Sequence, residues 1–180
     1  MSASTATQHV IPAATVTHTT AVIRGDIHSD ITVYHARTCD ARIVLTFGST
    51  LMTVYSASAA QGLLEAFAAA RAAMVQVPGE ILAPAAPPYE PFARTTLAIE
   101  WTRRPTYCVV SQSGPNKSKS GIIHWVDLHC GPITFQVRDR LGLRSTLALL
   151  SRAHKTAVAV FLDGAQHTDD PTADDYCCLQ

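Results

Sequence analysis

Sliding the chain against itself by 83 residues, without a gap, places Gly48 on Gly131, Val54 on Val137, Leu64 on Leu147, Ala70 on Ala153, Val75 on Val158 and Val77 on Val160. Conservative matches keep the same register: Ile43 with Val126, Met52 with Phe135, and Phe67 with Leu150. Agreement in order along a fixed offset reads as one supersecondary unit used twice. Any fold for the chain must then give both copies comparable surroundings.

Each copy ends in a stretch with helical periodicity. Leu64, Phe67 and Met74, like Leu143, Leu147, Leu150 and Ala153, recur at intervals of three, four or seven, which predicts amphipathic helices over about 56–74 and 139–155. Ser56 and Asp139 stand at equivalent places before them, and both side chains can accept from the free amides of a first helical turn. Upstream lie short β-branched or aromatic runs: 31–34, 43–47 and 51–55 in the first copy, with a weaker run near 21–24, and 96–101, 106–110, 122–128 and 133–137 in the second. Gly48 and Gly131-Pro132 provide the last tight turn of each set. The predicted fold is α+β: two tandem β-β-β-β-α repeats, each an antiparallel sheet packed by its own amphipathic helix, with a short trailing strand after each helix.

The organisation expected is a flexible leader over 1–20, repeat 1 over 21–77, a Pro-rich linker over 78–93, repeat 2 over 94–163 and an acidic flexible tail over 164–180. The linker rests on Pro78, Pro84, Pro87, Pro88 and Pro91, which hold the backbone extended and remove amide donors. In arrangement alone, with no shared residue motif, the pattern resembles the PUR-repeat and whirly-type single-strand binders, in which β-β-β-β-α units also occur in tandem.

An apolar fraction of 47% and a charged fraction of 16% are globular values. The N-terminus has neither a basic region nor an unbroken apolar run, so no secretory signal is expected. The most apolar stretch, 63–77, is interrupted by Glu65, Arg71 and Gln76, so no membrane span is expected. Five cysteines, Cys39, Cys108, Cys130, Cys177 and Cys178, lack framework spacing, which points to a reducing, cytoplasmic setting.

The net charge of zero hides a segregation. Residues 1–93 sum to −2, residues 94–160 to +7 and residues 161–180 to −5. A basic module followed by an acidic end suggests a polyanion-binding surface that the tail covers in competition. If the run from Thr96 through Tyr107 alternates as a strand, Trp101, Arg103 and Tyr107 share a face. Arg104, Trp125 on a neighbouring run, and Lys117 and Lys119 in the loop between then extend it. Aromatic side chains stack bases of single-stranded nucleic acid while cations follow the phosphates. The plainer reading makes Trp101 and Trp125 core residues and the cations a solvated face.

Motifs for other chemistry fail. Gly25-Asp26-Ile27-His28-Ser29 resembles the opening metal signature of metallophosphoesterases, but the later ligand blocks such enzymes need are absent. His124 and His129 are five apart on a strand and face opposite ways, so no metal site is expected. The 114–121 loop lacks phosphate-loop order, and no elbow, zinc-protease or dinucleotide motif occurs. Cys177 to Gln180 match the C-a-a-X prenylation pattern, but the upstream aspartates oppose the polybasic second signal such anchors use, so no anchor is expected. The function expected is non-catalytic and cofactor-free: binding of single-stranded DNA or RNA by repeat 2. The alternative is an adaptor whose repeats dimerise or meet an acidic protein partner.

Overall fold

A computed structural model of the protein describes residues 16–81 and 96–176. Most of the leader, most of the linker and the 177–180 motif lie outside the described residues.

The element order is β1 (Thr19–Ile23), β2 (Ser29–Tyr34), β3 (Arg42–Phe47), β4 (Thr50–Val54), α1 (Ala57–Ala69), β5 (Leu97–Trp101), β6 (Tyr107–Pro115), β7 (Ile122–Cys130), β8 (Ile133–Val137) and α2 (Arg140–Val160). Short 3-10 helices follow each α-helix, over Ala70–Met74 and Gly164–Gln166. The protein is thus mixed α+β, with two four-stranded sheets and two α-helices. The offset of the sequence comparison carries β4 onto β8 end to end, and the turns before them place Gly48 and Gly131 at the same φ of 56°, a left-handed conformation that favours glycine.

The sheets are not assembled as the sequence implied. Within each, three consecutive strands form an antiparallel meander, β2-β3-β4 in one and β6-β7-β8 in the other. The fourth strand comes from the other half of the chain and runs parallel: β1 joins β8, with Thr19 opposite Ile133, and β5 joins β4, with Thr50 opposite Leu97. Both sheets are therefore mixed, and each half lends its first strand to its partner. No trailing strand follows either helix among the described residues.

The two helices pack on each other and also cross over. Besides β4, which leads into it, α1 touches β6 and β7 of the far sheet, and α2 touches β2 and β3 besides β8. The inward side chains follow the strand period of two: Ile43, Leu45 and Phe47 on β3, and Val126, Leu128 and Cys130 on β7, all buried in one continuous core. Phe67 of α1 meets Phe135 of β8 with ring centroids 5.1 Å apart. Lying between sheets, α1 is buried nearly all round from Ala57 to Phe67, whereas α2 keeps an exposed stripe at Arg140, Arg144, Ala148, Arg152 and Lys155.

The helix starts share one scheme. Ser56 Oγ accepts from Ala59 N–H at 3.1 Å, and Asp139 Oδ1 accepts from Gly142 N–H at 2.7 Å, as the sequence led one to expect. The two preceding amides of each helix are accepted by the segment that follows the other helix. Asp163 takes those of Ala57 and Ser58, and the carbonyls of Pro78 and Gly79 take those of Arg140 and Leu141.

Residues 164–176 are likewise not a free tail. They return along α1, where Gln61 donates to the Asp169 carbonyl at 3.0 Å, Arg71 to the Thr172 carbonyl at 3.1 Å and the Tyr176 hydroxyl to Glu65 at 2.8 Å. No helix among the described residues is long and apolar enough to cross a membrane.

Candidate nucleic-acid interface

The surface composed from the sequence does not assemble. The strand β5 ends at Trp101, and β6 begins at Tyr107 in the other sheet, so Trp101, Arg103 and Tyr107 share no strand face; Pro105 lies in the break. Trp101 follows Leu97 and Ile99 on the inward side and is 6% exposed, a core residue whose indole N–H has no acceptor among the described residues.

Arg104 and Tyr107 serve an internal polar cluster. Glu65, buried on α1, receives the Arg104 guanidinium on Oε2 and the Tyr107 hydroxyl on Oε1 at 3.0 Å. Arg104 also donates to Gln61 Oε1 and to the Tyr176 hydroxyl, each at 3.0 Å. Burial disfavours its charge, but the bonds and charges of Tyr176 and Glu65 outweigh that and raise its pKa. Gly62 lets Arg104 approach, since a Cβ there would stand 2.4 Å from Arg104 Cγ. Tyr176, pressed by burial and by Glu65 against the opposing Arg104, keeps its proton above the ordinary phenol range. These groups hold the returning tail on α1, and a polyanion would have to break the cluster to reach Arg104.

Arg103, Lys117 and Lys119 are exposed. The lysines stand on a built turn at the tip of the β6-β7 hairpin. Asn116 N–H donates to the Gly121 carbonyl at 2.9 Å, its Oδ1 accepts from Ser120 N–H at 2.9 Å, and Lys119 takes a φ of 55°.

Trp125 is the aromatic that does reach a surface. Along β7, Trp125, Asp127 and His129 alternate with the core residues Val126, Leu128 and Cys130 and so lie on the outer face, where Trp125 and His129 are half-buried and Asp127 is buried. Strand pairing sets Gln112 of β6 beside Trp125, and Gln136 and Thr134 of β8 beside Asp127 and His129. The guanidinium of Arg138 lies 4.4 Å from the Trp125 ring centroid and is steadied by Gln136 Oε1 at 2.9 Å, while the indole N–H is fixed by Asp127 at 3.0 Å. A Cβ at Gly114 would press on the Trp125 ring at 3.3 Å, so that glycine lets the indole lie flat across β6. At one end of the face His129 and His18 both meet the Thr134 hydroxyl, at 2.7 and 3.1 Å. No group of three or more metal-ligating side chains occurs among the described residues. Cys108 is exposed on this face, whereas burial of the inward Cys130 pushes its thiol up to about 12.

The outer face of the other sheet carries a cation–aromatic contact of its own, which no sequence motif marked. Arg42 lies 5.1 Å from the Tyr34 ring, and the Tyr55 hydroxyl donates to Glu100 at 3.2 Å. Burial and the neighbouring Glu100 raise the Tyr55 pKa, with Arg42 opposing them. The offset that aligns the copies carries Arg42 onto Trp125 and Tyr55 onto Arg138. The ring on which Arg42 lies, Tyr34, is carried by the same offset onto Lys117, so the two cation–aromatic contacts are not built from equivalent pairs. Comparison of the chain with family models, with curated proteins and with solved structures finds no match.

Proposed function

We propose that this protein is a non-catalytic binder of single-stranded nucleic acid, using the open face of the β1-β8-β7-β6 sheet. The observation that carries the reading is the Arg138 guanidinium laid on Trp125 on the outer side of the sheet, with Trp125 in the same hairpin as Lys117 and Lys119. A planar guanidinium over an indole offers a surface on which a base can stack, and Gln112 and Gln136 supply hydrogen-bonding groups beside it. The lysines stand beyond Pro115, three residues past Gln112, or roughly 10 Å along the strand, a reach suited to the next phosphates. Arg24 follows β1 at the far edge, where Arg138 N–H meets the Ile23 carbonyl at 2.9 Å. In this reading the chain is an internal duplication of a β-β-β-β-α unit, and the Tyr34–Arg42 face offers a second, weaker platform. The three described cysteines are free thiols, which suits a reducing, cytoplasmic setting.

The test is anisotropy titration of labelled single-stranded DNA and RNA across a salt series. Binding should weaken linearly in log salt, and Trp125→Ala or Arg138→Ala should weaken it about tenfold, the equivalent of one lost stacking contact. With Trp101→Phe the remaining tryptophan is Trp125, whose fluorescence should change on binding. Absence of binding at low salt defeats the proposal.

A second reading, an adaptor that pairs with another copy of itself, draws on four exposed apolar side chains. Val75 is 82% and Ile122 72% exposed, and Ile81 and Ile123 line one groove between the segment after α1 and the start of β7. Sedimentation equilibrium of the intact chain and of Ile122→Lys separates this reading from the first.

A further inference from the structure

A second surface, distant in kind from the sheet face, lies where the end of the α1 segment meets α2. There a groove of about 490 Å³, open to solvent, is floored by Met74, Leu143 and Leu147 and rimmed by Arg71, Arg140 and Arg144. Among the described residues no carboxylate lines it. Arg140 and Arg144 are exposed and one helical turn apart on the stripe of α2, and among the described residues neither is in an ion pair. Arg71 is held over the groove by its bond to the Thr172 carbonyl, which leaves the rest of its guanidinium to a ligand. The start of α2 is not what makes the site, because its first three amides are already accepted by Pro78, Gly79 and Asp139.

Three uncompensated cations around an apolar floor select a ligand with two chemistries at helical or strand spacing: carboxylates for the rim and aliphatic side chains for the floor. An acyl chain or other small amphiphile needs an enclosed pocket to bury its surface, and this groove is open on one side. A nucleic-acid backbone would satisfy the arginines and make no use of the apolar floor. We propose that the groove between Arg71 and the Arg140–Arg144 stripe docks an acidic amphipathic segment of a partner protein, laid with its apolar side on Met74, Leu143 and Leu147. This interaction is independent of the sheet face, so one chain can hold a nucleic acid and a protein at once.

The probe is a labelled peptide of roughly 14 residues, long enough for marginal helicity, with leucine on one helical face and glutamate on the other. Titrated into the intact chain, it should bind saturably. Replacing its glutamates by lysine or its leucines by serine should each abolish binding, and the Arg140→Glu/Arg144→Glu chain should bind it at least about tenfold more weakly. Both substitutions lie on the exposed stripe, and unchanged circular dichroism confirms that the fold is kept. Equal binding of the serine peptide, or no effect of the double substitution, overturns the proposal. So does loss of single-stranded oligonucleotide binding in the double variant with Arg138→Ala unaffected, which would make the groove a phosphate site.

Discussion

The two helix starts occupy equivalent places and use the same three bonds, yet they bear unequal loads. Ser56 satisfies one amide, and the Asp163 carboxylate arrives from beyond α2 to satisfy the two before it. At α2 two backbone carbonyls do Asp163's work, and Asp139 is freed to gather distant chain. Fully buried, it accepts from Gly25 N–H and from Ile81 N–H at 2.9 Å as well as from Gly142. A carboxylate with several lone pairs can join the end of β1, the segment after α1 and the start of α2 at one point, which a hydroxyl cannot. Equivalent positions in a repeated pattern therefore specify where a bond is needed and not how many the residue must carry.

Removing Asp139 should do the most damage. Asp139→Ala leaves three inward amides without an acceptor and should cost on the order of 4 kcal/mol, read as a fall in the denaturant midpoint. Asp163→Ala opens two amides at a partly exposed site and should cost about 1–2 kcal/mol by the same measurement. Ser56→Ala should cost about 1 kcal/mol; a loss as large as that of Asp139→Ala would show that the two caps are not loaded differently. The smallest effect belongs to pH and to the tail. Although burial opposes its charge most, Asp170 accepts from the Thr172 amide and hydroxyl and faces His154 and Lys155, and these hold its carboxyl below the ordinary 3.8. A depressed value means that the turn is fully supported above 3.8 and loses support as the pH falls further, through the folded-state value. Amide exchange at Thr172 should accordingly stay slow down to that range, and Asp170→Asn should remove the dependence.

Local pattern carried most of the elements. Eight strand runs, the weaker one near 21–24 among them, and both caps were legible because alternation and capping chemistry are properties of adjacent residues. The exchange of β1 and β5 was not, since nothing in Thr19–Ile23 says that its partner is β8 rather than β2. Trp101 was misplaced for the same reason. Its face is set by β4, a strand of the preceding half, while the residues used to judge it, Arg103 and Tyr107, lie past a break at Pro105. The tail was misread because its aspartates were counted as charge, when Asp163 and Asp170 are spent on backbone amides. In the candidate interface, Trp125, Lys117 and Lys119 were within reach of sequence reasoning. Arg138 was counted only as charge, and its stacking on Trp125 depends on the pairing of β7 with β8.

The lending of first strands also sets a timetable. As the chain is synthesised, β1 precedes its neighbour β8 by six strands and a helix, so it waits unpaired while those are made. The first half likewise cannot close its sheet before β5 arrives, nor cover its inner face before α2 does. Neither half completes a sheet from its own strands, so the folding of the two is coupled, and each meander keeps an open edge until the other half lends its strand.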